Sequence, residues 1–469
     1  MPIKSSLGAL STQLTVGGGN LNPINPSAYF GTMSGLVDYD ADVIPLNKLL
    51  VGTDLYVVGK YNYHPGDFAD YQYNTVLQKI DTTTNTVTWQ RFLTYGDIAT
   101  VNPEVWFNDL VYYNNSIFCF GQIEANAVGG NPGGVFVAKY DTNGTLQLQK
   151  IITGITSISN VQVDNVGSFY GISNGTNVIK LNNALTSVSF HKSFPTYTQS
   201  STTYNTPTLT SGKLDSNNNY VAAGFVYINS DVRPCIFKIS SAGSLTFQYY
   251  TSSGGDSEIY SLCIDSSNDM YIAGYNRDHE FPATAYPGMI QKINNMGQII
   301  WTREYSLANP SILQATYLSM DIDKPNGYLY LTGSTGSIGI LTKIDTNGAL
   351  SFTKQFAINW PDTEIPIVKY FNSKLYVTTP DDPVLFTWLT DGTSPKPTVN
   401  PIYINQWVGV TSVLFGTQIL NQQNNVWNSF ALGFTLNNVI GVSFVNGTLT
   451  SWGSDPTDVR YPIQLLTNF

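Results

Sequence analysis

The sequence predicts an all-β protein, a seven-bladed β-propeller. Three observations predict it. The first is a unit written seven times: an aromatic, apolar strand running into Gly, a gap, a second strand closing on Lys-apolar-Asp/Asn/Ser, a polar turn and a third strand. Its clearest copy occupies 329–333, 340–348 and 350–354. The Gly slot falls at Gly59, Gly121, Ser173, Gly224, Gly274, Gly333 and Thr378. The Lys slot falls at Lys79, Lys139, Lys180, Lys238, Lys292, Lys343 and, degenerate, Trp388. A period of this size marks a repeat architecture before any single residue is read.

The second observation is one more apolar stretch ahead of each Gly slot, such as 261–264 and 318–322. That makes four strands per repeat, here lettered A to D, which is the composition of a propeller blade. The third is the turn chemistry between strands C and D. Asp141 to Gly144, Asn294 to Gly297 and Asp345 to Gly348 each open on an Asx residue and close on Gly. The Asx side chain bonds the backbone two residues on, and Gly accepts the positive φ that follows. No helical period competes within the repeats.

Each element follows from these marks. Residues 1–42 form an N-terminal arm rather than a domain: Gly17, Gly18 and Gly19 and the prolines Pro23 and Pro26 break any regular pattern. Residues 43–395 form the propeller. Strand B of each blade is predicted to end near the Gly slot. Residues 396–469 leave the repeat and form a small C-terminal β appendage, with alternating apolar residues and turns at Asn437-Asn438 and Asn446-Gly447. The run Pro395-Lys396-Pro397 bars an immediate fourth strand in blade 7. The strand that completes the ring comes from 27–31 or from the appendage.

The repeat resembles the bacterial SBBP-type β-propeller repeat. The residues that carry the likeness are Asp265, Asp269, Tyr271, Ile272, Ala273 and Gly274, then Ile290, Lys292, Ile293, Asn294, Gly297, Ile299, Trp301 and Thr302. The stretches 215–250 and 321–356 match well, and 157–194 matches poorly. The resemblance implies a scaffold and brings no catalytic residue with it.

Composition bounds the function. A net charge of −10 with only 22 basic residues excludes a nucleic-acid footprint. Charged residues make up 12% of the chain, so Asn, Thr, Ser and Tyr must fill its surface. No stretch reaches the length of a membrane span, and the N-terminus lacks the apolar core of a signal peptide. Cys119, Cys235 and Cys263 are an odd number without close spacing, so they read as buried small hydrophobes.

Chemistry is sparse. There is no Gly-x-Ser-x-Gly elbow and no phosphate-binding Gly-Lys-Ser/Thr loop. His64, His191 and His279 never pair at metal-ligand spacing. No cofactor, metal or catalytic residue is therefore expected. The Asp-rich A–B turns, such as 215–219 and 265–269, look like calcium loops but lack the distal Glu, and an Asx turn accounts for them. The repeated strand-C Lys reads as a structural residue that snorkels beside a turn.

Binding is assigned to the long B–C loops of blades 1, 2 and 5 (60–75, 122–134 and 275–288), with an intermediate loop in blade 4 (225–234). The ligand-binding candidates are Tyr61, Tyr63, His64 and Asp67 in blade 1 and Tyr275, Arg277, His279 and Glu280 in blade 5. Aromatic rings stack on a sugar and the polar groups hydrogen-bond it. An acid pair for glycoside cleavage would come from Asp67, Asp70, Glu124, Asp278 and Glu280.

The low charge and Asn/Thr/Tyr richness are similar to those of bacteriophage virion proteins. That resemblance implies a non-enzymatic structural component of a tail, fibre or other appendage, made in the host cytoplasm and present in multiple copies. Its partners would be other virion proteins, reached through the termini, and a host-surface glycan, reached through the loops. Two alternatives stand beside it: a bacterial surface carbohydrate-binding propeller, and a propeller-type polysaccharide lyase or glycosidase.

Overall fold

Seven four-stranded antiparallel sheets follow one another along the chain and close into a seven-bladed β-propeller. The computed structural model describes most of residues 43–392, apart from the segments 64–71, 84–85, 96–104, 124–132, 200–201, 230, 251–255, 278–287, 306–315, 336–337, 358–366, 372 and 380–381. Beyond that span it describes only short strands. Every regular element among the described residues is a strand.

Blade 1 comprises Val43–Val51, Asp54–Tyr63, Gln72–Asp81 and Thr86–Tyr95. Blade 2 comprises Val105–Tyr113, Ser116–Ile123, Gly134–Asp141 and Leu146–Ile152. Blade 3 is the shortest, with Ile158–Val163, Phe169–Ser173, Asn177–Leu181 and Val188–Ser193. Blade 4 has Thr208–Leu214, Tyr220–Ile228, Asp231–Ile239 and Leu245–Tyr250, and a small hairpin, Tyr197–Gln199 with Thr202–Tyr204, joins its strand B at Ile228. Blade 5 has Asp256–Ile264, Met270–Arg277, Gly288–Ile293 and Ile299–Tyr305. Blade 6 has Thr316–Asp323, Tyr328–Thr335, Ile338–Asp345 and Leu350–Ala357. Blade 7 has Ile367–Phe371, Lys374–Thr379, Asp382–Leu389 and, past the prolines, Ile402–Tyr403.

That last strand answers the question of ring completion. The fourth strand of blade 7 comes from the C-terminal side. The arm strands do something else: Phe30–Thr32 adds to the outer edge of blade 1 and Pro23–Ile24 to that of blade 2. Residues 412–431 contain a three-stranded meander, and Phe444–Val445 pairs with Thr448–Leu449.

The cores lie between blades. Strand B shows why its sequence is apolar without a break. In blade 2, Ile117 and Cys119 pack toward blade 1, while Phe118 and Phe120 pack toward blade 3. In blade 4, Tyr220 and Ala222 face blade 3, and Val221 and Ala223 face blade 5. A strand alternates its side chains between two faces, and here both faces are buried. Cys119, Cys235 and Cys263 are free, buried thiols within these cores, and burial pushes the Cys263 thiol up to about 12.

Strand B ends near the repeated Gly, as the sequence predicted, but the Gly is not its last residue. Strand B runs past it in most blades, for example to Tyr63 beyond Gly59 and to Ile228 beyond Gly224. The Gly sits opposite a bulge in strand A, which interrupts the register at Phe107/Asp109, Leu209/Ser211 and Ile259/Ser261. The bulge pushes a strand-A carbonyl onto the glycine. A Cβ on Gly121, Gly224 or Gly274 would stand 1.8–1.9 Å from the carbonyl oxygen of Trp106, Thr208 or Glu258.

The bulge also ties the blades at the axis. It turns the following polar side chain toward the next blade. Ser211 accepts the Leu262 N–H at 3.1 Å, Ser261 accepts the Met320 N–H at 2.9 Å and Ser319 accepts the Val368 N–H at 3.3 Å. Asp109 plays the same part in blade 2, accepting the Val161 N–H at 2.6 Å.

Two further contacts repeat farther out. The strand-D aromatic of one blade packs under the positive-φ glycine of the next blade's C–D turn: Trp89 under Gly144, Phe190 under Gly243, Phe247 under Gly297, Trp301 under Gly348 and Phe352 under Gly392. Trp89 and Trp301 also donate their indole N–H to carbonyls of those turns, Thr142 and Thr346, each at 3.2 Å. The strand-C lysine is the second contact. Lys79, Lys180 and Lys343 reach the carbonyls of Thr142, Ser241 and Thr390 in the next blade at 3.4, 3.0 and 2.9 Å. Lys79, Lys238 and Lys292 pair with Asp54, Asp215 and Asp269 at 2.8, 2.7 and 3.1 Å. Lys79, Lys180 and Lys343 thus bolt one blade to the next, while the ion pairs brace single blades.

Candidate functional site

Strand ends at the B–C side of the ring build the site. Blade 4 departs from the sequence reading there. Its expected loop, 225–234, is a continuous ribbon, with Phe225 paired to Pro234 and Ile228 to Asp231. Asn229 turns the ribbon at a φ of 58°, a conformation that Asn tolerates better than most residues. The ribbon lifts Tyr227 into solvent, where it is 44% exposed, with Phe225 edge-on at 6.4 Å.

Blade 5 supplies the rest. Tyr275 follows the repeat glycine on strand B and pairs with Glu258 on strand A. Between Ile259 and Ser261 the register skips Tyr260, the bulged residue. Tyr260 stacks on Tyr275 with ring centroids 6.1 Å apart, and its hydroxyl donates to the Glu258 carboxylate. Burial raises the Tyr260 hydroxyl pKa, and the nearby Glu258 charge raises it further. The phenol therefore stays protonated, a donor to Glu258. Glu258, Tyr260 and Tyr275 are each half-buried, so their faces remain reachable.

The cluster thus offers aromatic faces beside one oriented carboxylate. Aromatic faces cover the apolar side of a sugar ring, and a carboxylate accepts its hydroxyls. Glycoside cleavage needs two carboxylates across one bond. The described contacts of this cluster bring in one, Glu258.

Of the residues singled out in the sequence, Tyr275 belongs to this cluster. Tyr61, Tyr63 and Arg277 lie on strands rather than loops: Tyr61 pairs with Asn74, Tyr63 with Gln72 and Arg277 with Asp256. His64, Asp67, His279 and Glu280 lie outside the described residues, as do Asp70, Glu124 and Asp278. Sequence reasoning missed Glu258 and Tyr260 because it looked for sites in loops and they lie on strand A, while Tyr227 lay within the named loop 225–234 without being singled out. The signal available was a Glu-apolar-Tyr triplet ahead of a repeat serine, which only the bulge makes meaningful.

The Asp-rich turns are Asx turns. Asp215 accepts the N–H groups of Asn217 and Asn219, each at 2.9 Å, and Asp265 does the same for Ser267 and Asp269. Among the described residues no group of three or more His, Cys, Asp or Glu is placed to hold a metal ion. No helix among them is long and apolar enough to cross a membrane.

No family model matches the chain, and no curated protein matches it. Among solved structures it is similar to Sqt1 from Chaetomium thermophilum, at 11% identity over 84% of this chain and 97% of that one, with a TM-score of 0.44. The assignment of a propeller rests on the seven sheets themselves.

Proposed function

We propose that this protein is a non-enzymatic binding scaffold, a structural component of a bacteriophage tail, fibre or other appendage, whose long-loop face contacts a host-surface glycan. The observation that carries the binding half is the Tyr260, Tyr275 and Glu258 cluster, half-open rings beside a single fixed carboxylate, with the exposed Tyr227 on the blade 4 ribbon. The SBBP-like repeat supports a scaffold role. The low charge and Asn/Thr/Tyr richness support the virion setting. A ring of blades is a rigid platform on which only loops and termini vary freely. Attachment to other virion proteins, in multiple copies, is therefore assigned to the two terminal segments.

The reading as a bacterial surface carbohydrate-binding propeller uses the same cluster and differs only in where the protein resides. Immunogold labelling decides between them: labelled phage particles support the virion reading, and labelled cell envelopes support the other. The glycan half is tested by binding to host cells and host-derived polysaccharide. Tyr260→Ala and Tyr275→Ala should each weaken binding about tenfold, the loss of one aromatic contact of 1–2 kcal/mol. Tyr63→Ala and His279→Ala should weaken it as well, with melting temperatures nearly unchanged. Unchanged binding in all four variants, or turnover of the polysaccharide by the purified protein, would refute the proposal.

A further inference from the structure

Four large apolar side chains stand bare on the outside of two neighbouring blades. Among the described residues Met296 is 68% exposed, Ile300 55%, Leu350 53% and Ile299 45%. Met296 lies in the C–D turn of blade 5, Ile299 and Ile300 open strand D of that blade, and Leu350 opens strand D of blade 6. The two sites adjoin. Trp301 donates its indole N–H to the Thr346 carbonyl in the blade 6 turn, and Arg303 packs against Gly348, two residues before Leu350.

The other blades show that this is a departure. The position of Ile299 and Leu350, second after the turn glycine, holds Leu146 in blade 2 and Leu245 in blade 4, and there it packs against the core between blades. The position of Met296 holds Asn143 in blade 2, Ala242 in blade 4 and Asn347 in blade 6. The position of Ile300 holds Gln147, Thr246 and Ser351. Blade 5 thus sets two large apolar residues in solvent where those blades set polar or small ones. A local rule broken with no benefit to the core marks a surface that meets something.

Place and charge say what it meets. The described strands of the two termini pair at the other end of the ring: Phe30–Thr32 with Leu93–Tyr95, Pro23–Ile24 with Ile151–Ile152 and Ile402–Tyr403 with Val384–Leu385. None of them covers the patch. A net charge of −10 makes copies of the chain repel one another in general. At the turn end, however, Lys238 and Lys292 are paired with Asp215 and Asp269 within their own blades. Beside the patch, Arg303 and Glu304 are exposed neighbours on one strand. A two-fold axis along this edge sets Arg303 of each copy against Glu304 of the other. An apolar patch flanked by one charge of each sign is complementary to itself.

We infer that Met296, Ile299, Ile300 and Leu350 form a contact between two copies of this chain, related by a two-fold axis beside blades 5 and 6. Four such side chains present on the order of 400 Å² per copy, at the low end of specific interfaces, so the dimer is weak and reversible. The contact is separate from the rim cluster and from the terminal strands, and its test does not depend on glycan binding.

Sedimentation velocity of the full chain over a concentration series tests it. A monomer–dimer equilibrium is expected, with a dissociation constant on the order of 10–100 µM. Met296→Asn combined with Ile300→Ser installs the residues that blade 6 carries at those positions, so the melting temperature should hold while the dimer weakens about tenfold or more. Leu350→Lys should weaken it to a similar degree. Glu304→Lys, which sets like charges across the axis, should weaken it too, and added salt should restore part of that loss. Three results would each overturn the inference: a chain that stays monomeric throughout the series, a dimer that none of the three variants weakens, or a double variant that melts well below the wild type. The last would make Met296 and Ile300 structural.

Discussion

Lys48 of the first blade donates its ammonium to the main-chain carbonyl of Ile367 in the last, at 2.6 Å and 319 residues away along the chain. The seam of the ring is thus held at the axis by a buried lysine. Desolvation drives the pKa of this lysine well below its ordinary value, and the Lys369 ammonium lowers it further. The bond gives a partly buried carbonyl the partner it would otherwise lack.

Lys48→Met should loosen the seam locally. Hydrogen–deuterium exchange is expected to speed up in Val43–Val51 and Ile367–Phe371 and to stay unchanged in Thr208–Leu214, on the far side of the ring. Equal acceleration in all three strands would show that the bond supports the whole fold rather than its seam.

Gly121→Ala should be severe and Gly52→Ala mild. A Cβ at Gly121 meets the Trp106 carbonyl oxygen at 1.9 Å, whereas at Gly52 nothing lies within 4 Å and only the φ of 63° opposes it. The expected costs are about 3 kcal/mol or more against about 1 kcal/mol. Chemical denaturation of the two variants measures the difference, and similar midpoints would mean that strand A yields easily.

Leu185 occupies the turn position that other blades give to glycine. It has a φ of 53°, its N–H donates to the Asn182 carbonyl at 3.0 Å as Gly144 does to Asp141, and it is fully buried between blades 2 and 3. Leu185→Gly relieves about 1 kcal/mol of backbone strain but removes a buried side chain worth about 3 kcal/mol. Packing wins, so the variant should be less stable by about 2 kcal/mol in urea unfolding. A gain in stability would put the strain first.

His191 gives the fold an acid limit. Its Nε2 lies 2.8 Å from the Ser173 hydroxyl, and burial lowers its pKa from the ordinary 6.5. Below that value the unfolded chain takes up a proton that the folded one refuses. Stability therefore falls with pH from about 6.5 down to the folded pKa, and levels off below it as far as this group is concerned. His191→Gln should flatten that part of a melting-temperature profile. An identical slope would assign the acid sensitivity to other groups.

Much of the architecture was legible because the repeat is written in short-range signals. Asx residues, turn glycines and alternating apolar runs act within a few residues of themselves. The purpose of the repeated Gly and Lys was not legible, since their partners are on another strand or in the next blade: Gly121 answers to Trp106, and Lys79 to Thr142. The poor match of 157–194 also has a local cause, because Leu185 replaces a glycine and fills space that an aromatic fills elsewhere. At the rim, Tyr275 was found through its loop, while Tyr260 depended on a bulge with no mark of its own.

The aromatic-under-turn contact has a direction: at five junctions among the described residues the earlier blade offers a ring and the later one accepts it, as in a head-to-tail assembly whose ends meet only when the rotation comes full circle. Its chemistry would suit any number of blades, and the Lys48–Ile367 bond marks where the seventh meets the first. A chain cut short by its last blade would keep Phe352 bare at one end and the face of blade 1 bare at the other. Copies of it would then satisfy each other instead of themselves, growing as an open filament.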